Sequence, residues 1–257
     1  MTRALSWIYL ALALGFIFLP VGMLVLFSFQ DGRLPVPPFN GPSLRWYADV
    51  LGDRRLMSAL GNSLVVAAVS SAIALLLGFL AAQGLARYRL PGTLLMRVVL
   101  IAPFTVSYLI IALGLLTLYN RTGIGLSLWT AGVGHVVINL PLCFAILYAA
   151  IGDHHRNAER AARDLGASEV KVLALVTAPM LMPSMLAAFF LSFTFSWDEF
   201  IIAFLLTRFD VTLPVEIWSL LRSGLTPRAN AVGSLVFLVS VSLLLLLELT
   251  VFRKVRR

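Results

Sequence analysis

Cysteine and lysine are almost missing from this chain. The one cysteine, Cys143, lies inside an apolar run. No intrachain disulfide can form, and a cysteine-based metal site is disfavoured. The two lysines are Lys171 and Lys254, and neither follows a glycine-rich loop, so the chain carries no phosphate-binding P-loop. If ATP drives this protein, another chain binds it. Histidine is also scarce. His154 and His155 are adjacent but have no third ligand near, so no metal site is expected. Charge of either sign is thin: 12% of residues are charged, against about 25% in ordinary soluble domains. No repeat of 20–50 residues and no low-complexity tract is present.

What remains is hydrocarbon. The chain has 257 residues, 60% of them hydrophobic, which places it among multi-pass membrane proteins. A spanning helix needs about 20 mostly apolar residues. Six runs qualify, at about 5–29, 60–86, 94–118, 128–151, 184–207 and 231–252. The first follows Arg3, lacks a small-x-small cleavage site and is longer than a signal-peptide core, so it reads as a retained anchor. Residues 30–59, with Pro35, Pro37, Pro38 and Pro42, read as an extramembrane loop with one short helix near Ser43–Leu51. A second such loop covers 208–229. Trp7, Tyr9, Trp46, Tyr47 and Trp218 suit the membrane interfaces, and Glu248 is placed to pair with Arg253.

Six spans put both termini on one side. Twelve of the Lys and Arg residues share that side, among them Arg3, Arg87, Arg89, Arg97 and the cluster Arg253, Lys254, Arg256 and Arg257; eight share the other. The positive-inside bias makes both termini cytoplasmic. A net charge of +8 then reflects basic cytoplasmic ends, and no nucleic-acid partner is expected.

One stretch departs from the apolar background. Between Asp153 and Lys171, ten of nineteen residues are charged or His, and the loop continues to Pro183. Asn157 can cap a helix over Ala158–Leu165, Gly166 can end it, Ser168 can cap a second, and Pro179 and Pro183 precede the fifth span. Ala161, Ala162 and Leu165 give the first helix a small apolar face, with Arg160, Arg163 and Asp164 beside it. Such a face suits a partner's groove. It equally suits a solvated amphipathic loop on the membrane surface.

The segment resembles the EAA coupling loop of permease subunits of binding-protein-dependent ABC importers. Ala161-Ala162, Gly166 and Val176-Thr177-Ala178-Pro179 occupy the places of that motif. Arg160 stands where the family has its Glu, with Glu159 one residue earlier, and Ala178 stands where the family has Leu before the Pro. Asn62-Ser63-Leu64 and Arg87-Tyr88 look like the family's core. Phe193–Phe200, Thr212-Leu213-Pro214-Val215 and Ile217-Trp218-Ser219 are most similar to the spermidine/putrescine group, which has Asp-Asp-Phe where this chain has Asp198-Glu199-Phe200.

The resemblance implies an all-α integral membrane protein of six transmembrane helices with the type I ABC importer permease (MetI-like) fold, as a single domain over 1–257. It implies a core of spans two to six, with the first span packing outside. Its partners would be a second permease, two ATPase subunits carrying ATP and Mg, and a periplasmic solute-binding protein touching loops 30–59 and 208–229. The setting would be a bacterial inner membrane. The chain itself would hold no cofactor and catalyse nothing. Glu159, Arg160, Ala161, Ala162, Asp164, Gly166 and Pro179 would form the ATPase-coupling loop. A polyamine is the favoured cargo, with opines, amino-acid derivatives and other small solutes open.

The fifth run holds two adjacent acids, Asp198 and Glu199, and an acid within a span needs a wet or paired setting. On a continuous helix Ser192, Ser196 and Glu199 share a stripe, which predicts a cavity-facing surface. With Phe195 and Trp197 beside it, the stripe is a plausible path for an organic cation. The alternative is that the acids hold a subunit interface or gate. His135 and Asn139, four apart in the fourth run, suit a helix–helix hydrogen bond better than a pore lining. Two other functional classes use the same acids: a cation-coupled secondary transporter, and an intramembrane enzyme.

Overall fold

The computed structural model describes residues 2–88, 91–224, 226–247 and 249. The helices in chain order are α1 (Thr2–Ser28), α2 (Arg45–Gly52), α3 (Arg54–Arg87), α4 (Thr93–Ile101), α5 (Tyr108–Thr122), α6 (Leu128–Ala150), α7 (Asp153–Asp164), α8 (Glu169–Val172), α9 (Ala178–Trp197), α10 (Ile201–Leu206), α11 (Leu213–Ser223) and α12 (Pro227–Leu247). Among the described residues, five helical stretches are long and apolar enough to cross a membrane: Leu5–Ser28, Arg54–Arg87, Leu128–Ala150, Glu169–Trp197 and Pro227–Leu246. Helices suit this setting because each satisfies its own backbone polar groups.

Three spans differ from the sequence expectation. The third is a bent pair, Thr93–Thr105 and Tyr108–Thr122, with a 103° turn between its arms. Pro103 has no N–H to give, Ala102–Thr105 tightens to a 3₁₀ turn, and Val106 is extended, so the helix restarts at Tyr108. The fifth begins at Glu169, not near Ser184, and runs 29 residues to Trp197. Pro179 and Pro183 lie within it. A π-helical turn at Leu173–Thr177 comes just ahead of Pro179 and loosens the backbone where the ring would meet a carbonyl. The second span is extended at its start, to Arg54. The expected Glu248–Arg253 pair and the C-terminal basic cluster lie outside the described residues, as does Arg89.

The chain divides into two compact units. The first comprises residues 1–60 and 215–241. Its loop after α1 is organised by Gln30, whose side chain donates to the carbonyl of Pro38 (3.1 Å) and accepts from the N–H of Asn40 (2.9 Å). Trp46 Nε1 donates to the carbonyl of Gln30 at 2.7 Å, and Ser28 and Tyr47 share a hydroxyl hydrogen bond of 2.6 Å. These two aromatics are thereby part of the loop's structure. Arg228 binds Asp49 (3.0 Å) and Asp53, and Arg55 binds Glu216 at 2.9 Å. Burial opposes ionisation of Asp53, but backbone N–H donors from Leu56 and Arg55, with Arg228, outweigh it and hold its carboxyl below the usual range.

The second unit comprises residues 61–214 and 242–257. Here α6 is the central helix, packed on α9, α10 and the 3₁₀ turn. Close approach is made through glycine. A Cβ on Gly78 would lie 2.8 Å from the backbone nitrogen of Phe144, and one on Gly134 would lie 2.5 Å from Ile202 Cγ2. One apolar cluster gathers Phe79, Leu85, Phe144, Leu147 and Leu181; another gathers Tyr119, Ile138, Ile202 and Leu206.

Gly78→Ala is expected to cost about 1–3 kcal/mol, the usual penalty of overpacking. The obstacle is backbone, which cannot turn aside. Gly61→Ala, with open space at its Cβ, is expected to be neutral. Thermal unfolding of both variants in mild detergent checks the difference, and equal midpoints would refute it.

Candidate coupling helix and acid-pair site

The coupling segment begins earlier than the sequence suggests. Gly152 takes the N-cap position of α7, and Asn157 is inside the helix. The end is as expected. Gly166 has φ +84°, Ala167 N–H donates to the carbonyl of Ala162 (3.0 Å), and Gly166 N–H donates to that of Arg163 (2.8 Å). This is a Schellman stop, which requires the left-handed backbone that glycine takes at no steric cost. Arg163 reaches across the turn to Glu169 in a bidentate pair at 2.7 and 3.0 Å. Ser168 takes the N-cap position of α8, as expected, but its side chain makes no capping hydrogen bond.

Glu159 is the central residue of this segment. Its side chain is fully buried. Arg87 at the end of α3 donates to both carboxylate oxygens, at 2.6 and 3.0 Å. Gln83 donates at 3.0 Å and Thr177 at 2.9 Å. One carboxylate thus ties α7 to the end of the second span and to the π turn of the fifth. Burial alone would raise its pKa, but the three donors and the Arg87 charge outweigh burial and hold it below the ordinary carboxylate range. The outward side of the segment consists of Arg160, Ala161, Asp164 and Leu165, all exposed, with Leu165 at 89%. Val170, Leu175 and Pro179 are exposed as well.

The acid pair is arranged differently from a helical stripe. α9 stops at Trp197, and α10 starts at Ile201. Glu199 lies in the break and accepts from the N–H groups of Ile202 (2.9 and 3.0 Å) and Ala203 (3.2 Å). Its carboxylate occupies the donor-rich start of α10, where the first-turn N–H groups have no partner within the helix. Ser192 and Ser196 are buried. Ser192 donates to Ser71 at 3.1 Å, and Ser196 is 3.0 Å from Ser70 and 2.6 Å from His135 Nδ1. His135 Nε2 is 3.6 Å from Glu199. These groups are buried and join α3, α6 and α9 through small polar contacts. Trp197 is buried too, whereas Asp198 and Phe195 are exposed. Buried charge and hydroxyls therefore find partners inside the chain, which is why the expected stripe turns inward.

Arg87, Gln83 and Thr177 escaped notice as site residues in the sequence. Arg87 carries a boundary charge and a family likeness, and nothing in the spacing joins it to Glu159 72 residues away. Asn62 and Ser63 carried only a family likeness. Here Asn62 donates to the carbonyl of Val211 (3.0 Å), and Ser63 Oγ accepts the N–H of Leu213 (2.8 Å), which fixes the segment after α10 to the second span.

Glu159→Ala strands a buried guanidinium and is expected to destabilise the chain by about 3–5 kcal/mol, whereas replacing Arg87 and Glu159 together with Met and Leu recovers most of the loss. Because the folded pKa of Glu159 lies below its unfolded value, its contribution is complete above about pH 4.3. It is lost as pH falls through the folded pKa. Unfolding midpoints against pH, for wild type and both variants, check this; a wild-type midpoint for Glu159→Ala would refute the clamp.

Residues 74–256 match the family model described as "Binding-protein-dependent transport system inner membrane component". The putrescine transport system permease protein PotI of Escherichia coli K12 is 36% identical over 241 residues, covering 90% of this chain and 85% of the relative. The spermidine/putrescine permease PotC of Haemophilus influenzae is 29% identical, covering 91% of each chain. In fold, the chain is similar to a bacterial ABC transporter that imports the acidic polysaccharide alginate, with a TM-score of 0.68, 17% identity, and coverage of 98% and 95%. These matches remove the secondary-transporter and intramembrane-enzyme readings. The chain belongs to the family of inner membrane components of binding-protein-dependent transport systems: it is a multi-pass permease subunit of an ABC importer, a transport component and not an enzyme.

Proposed function

We propose that this permease passes a small organic cation of the putrescine and spermidine class. The observation that carries this reading is the exposed carboxylate of Asp198 at the break between α9 and α10. Its neighbour Glu199 is occupied by the backbone donors of Ile202 and Ala203, which leaves Asp198 as the acid available to a passing amine. The exposed ring of Phe195 adds an aromatic face. The names of the two polyamine permeases support the same class. Trp197, which is buried, has no part in the path.

In this reading a second permease supplies the other half of the path, and two ATPase subunits bind ATP and Mg. α7 docks on an ATPase by the crest of Arg160, Ala161, Asp164 and Leu165, while Glu159 holds the helix from behind. Gly166 sets the turn, and Pro179 follows the loosened π turn inside the fifth span. Both termini and α7 face the cytoplasm of a bacterium, and loops 30–59 and 208–229 face a periplasmic binding protein. The motion of α7 reaches the second and fifth spans through the contacts of Glu159 with Arg87 and Thr177.

Gly166→Val forces a β-branched residue to positive φ, at a cost of roughly 1–2 kcal/mol at that turn. Uptake and ATPase capture are both expected to fall, with the chain still in the membrane. Detergent pull-down with mass identification, beside an uptake assay, reads this; normal uptake would reject the coupling role. Asp198→Asn is expected to raise the KM for a polyamine about tenfold, the loss of one charge-assisted contact. It is expected to leave ATPase capture unchanged. An unaltered KM would place cation recognition elsewhere.

A further inference from the structure

Near the start of α4 the second unit has a basic recess of about 890 Å³. It is lined by Arg87, Arg97, Arg156, Arg160 and Arg163, with Glu169 as the lining carboxylate. Arg87 and Arg163 are committed to Glu159 and Glu169. Arg97 is the unusual member. It sits in an apolar helix among exposed Leu94, Leu95, Val98 and Val99, where a cation is costly without a counter-charge. It makes no ion pair among the described residues; its guanidinium lies 4.6 Å from the ring centre of Tyr148, and its buried Nε has no hydrogen-bond acceptor. Arg160 is exposed at the rim.

The recess continues into a second feature. Leu85 lines it and also lines an adjoining apolar groove of about 350 Å³ between α3 and α4, with Gly84, Met96, Val99 and Leu100. A basic pocket joined to a hydrocarbon groove at the ends of spanning helices has the two-part chemistry of a phospholipid: phosphate for the guanidinium groups, an acyl chain for the groove. An acidic side chain of a docked protein supplies the first part and not the second.

We infer that this recess and groove bind one anionic phospholipid, with its phosphate on Arg97 and an acyl chain along Gly84, Met96 and Val99. The lipid would lie against the foot of α7 and neutralise the cation that α4 carries into the apolar layer. The inference rests on the chain being a membrane protein and is independent of what it transports.

The test is native mass spectrometry of the full chain in mild detergent, titrated with phosphatidylglycerol, phosphatidylcholine and inorganic phosphate. Wild type is expected to hold phosphatidylglycerol about tenfold more tightly than phosphatidylcholine, since roughly one charged contact separates them. Arg97→Gln is expected to remove that preference, and Arg97→Lys to keep most of it. Gly84→Phe places a ring in the groove, where a Cβ meets open space; it is expected to weaken phosphatidylglycerol with every arginine intact. Equal retention of the two lipids by wild type overturns the inference, as does an unchanged preference in Arg97→Gln. Displacement by inorganic phosphate, with Gly84→Phe silent, assigns the recess to a free anion instead. Loss of ATPase capture in Arg97→Gln, with lipid binding unchanged, assigns it to the ATPase.

Discussion

The interaction on which the placement of α7 depends is the buried contact of Glu159 with Arg87. A carboxylate and a guanidinium out of water are each costly, and they are tolerable together because the pair is bidentate and the spare acceptor capacity is filled by Gln83 and Thr177. The consequence is mechanical. α7 is not a tethered amphipathic loop that can drift on a surface. It is bound at one point to the second and fifth spans, and the side turned away from that point is exposed.

The same constraint, that polar groups removed from water must find partners, shapes the breaks in the spans. The fifth span stops at Trp197, and the restarted helix α10 presents free N–H groups, which the Glu199 carboxylate accepts. The acid that looked expensive in the sequence is part of what makes the break sustainable. The hydroxyls of Ser70, Ser71, Ser192 and Ser196 act likewise, pairing between α3 and α9. At Pro103 the solution differs: the chain turns through 103° and begins again.

A division of labour follows from these placements. Side chains that read alike in sequence separate by burial. Glu159 and Glu199 are internal, while Asp164 and Asp198 are exposed. Arg87 is enclosed, whereas Arg160 is open. The internal members set positions within the chain, and the exposed ones lie at its surface.

Composition and run length determined the class, because about 20 apolar residues in succession have few stable settings outside a bilayer. Local chemistry determined the turn at Gly166, since a left-handed backbone stop is decided within a few residues. The family likeness lay in contiguous motifs and was legible for the same reason. The start of the fifth span was not, because a proline reads as a stop unless the preceding turn widens, and the π turn at Leu173–Thr177 has no sequence signature. Nor was the partner of Glu159, or the inward turn of Ser196 toward His135. Those contacts join residues 72 and 61 positions apart. Helical periodicity says which residues share a face, but only the packing of α3, α6 and α9 decides what that face meets.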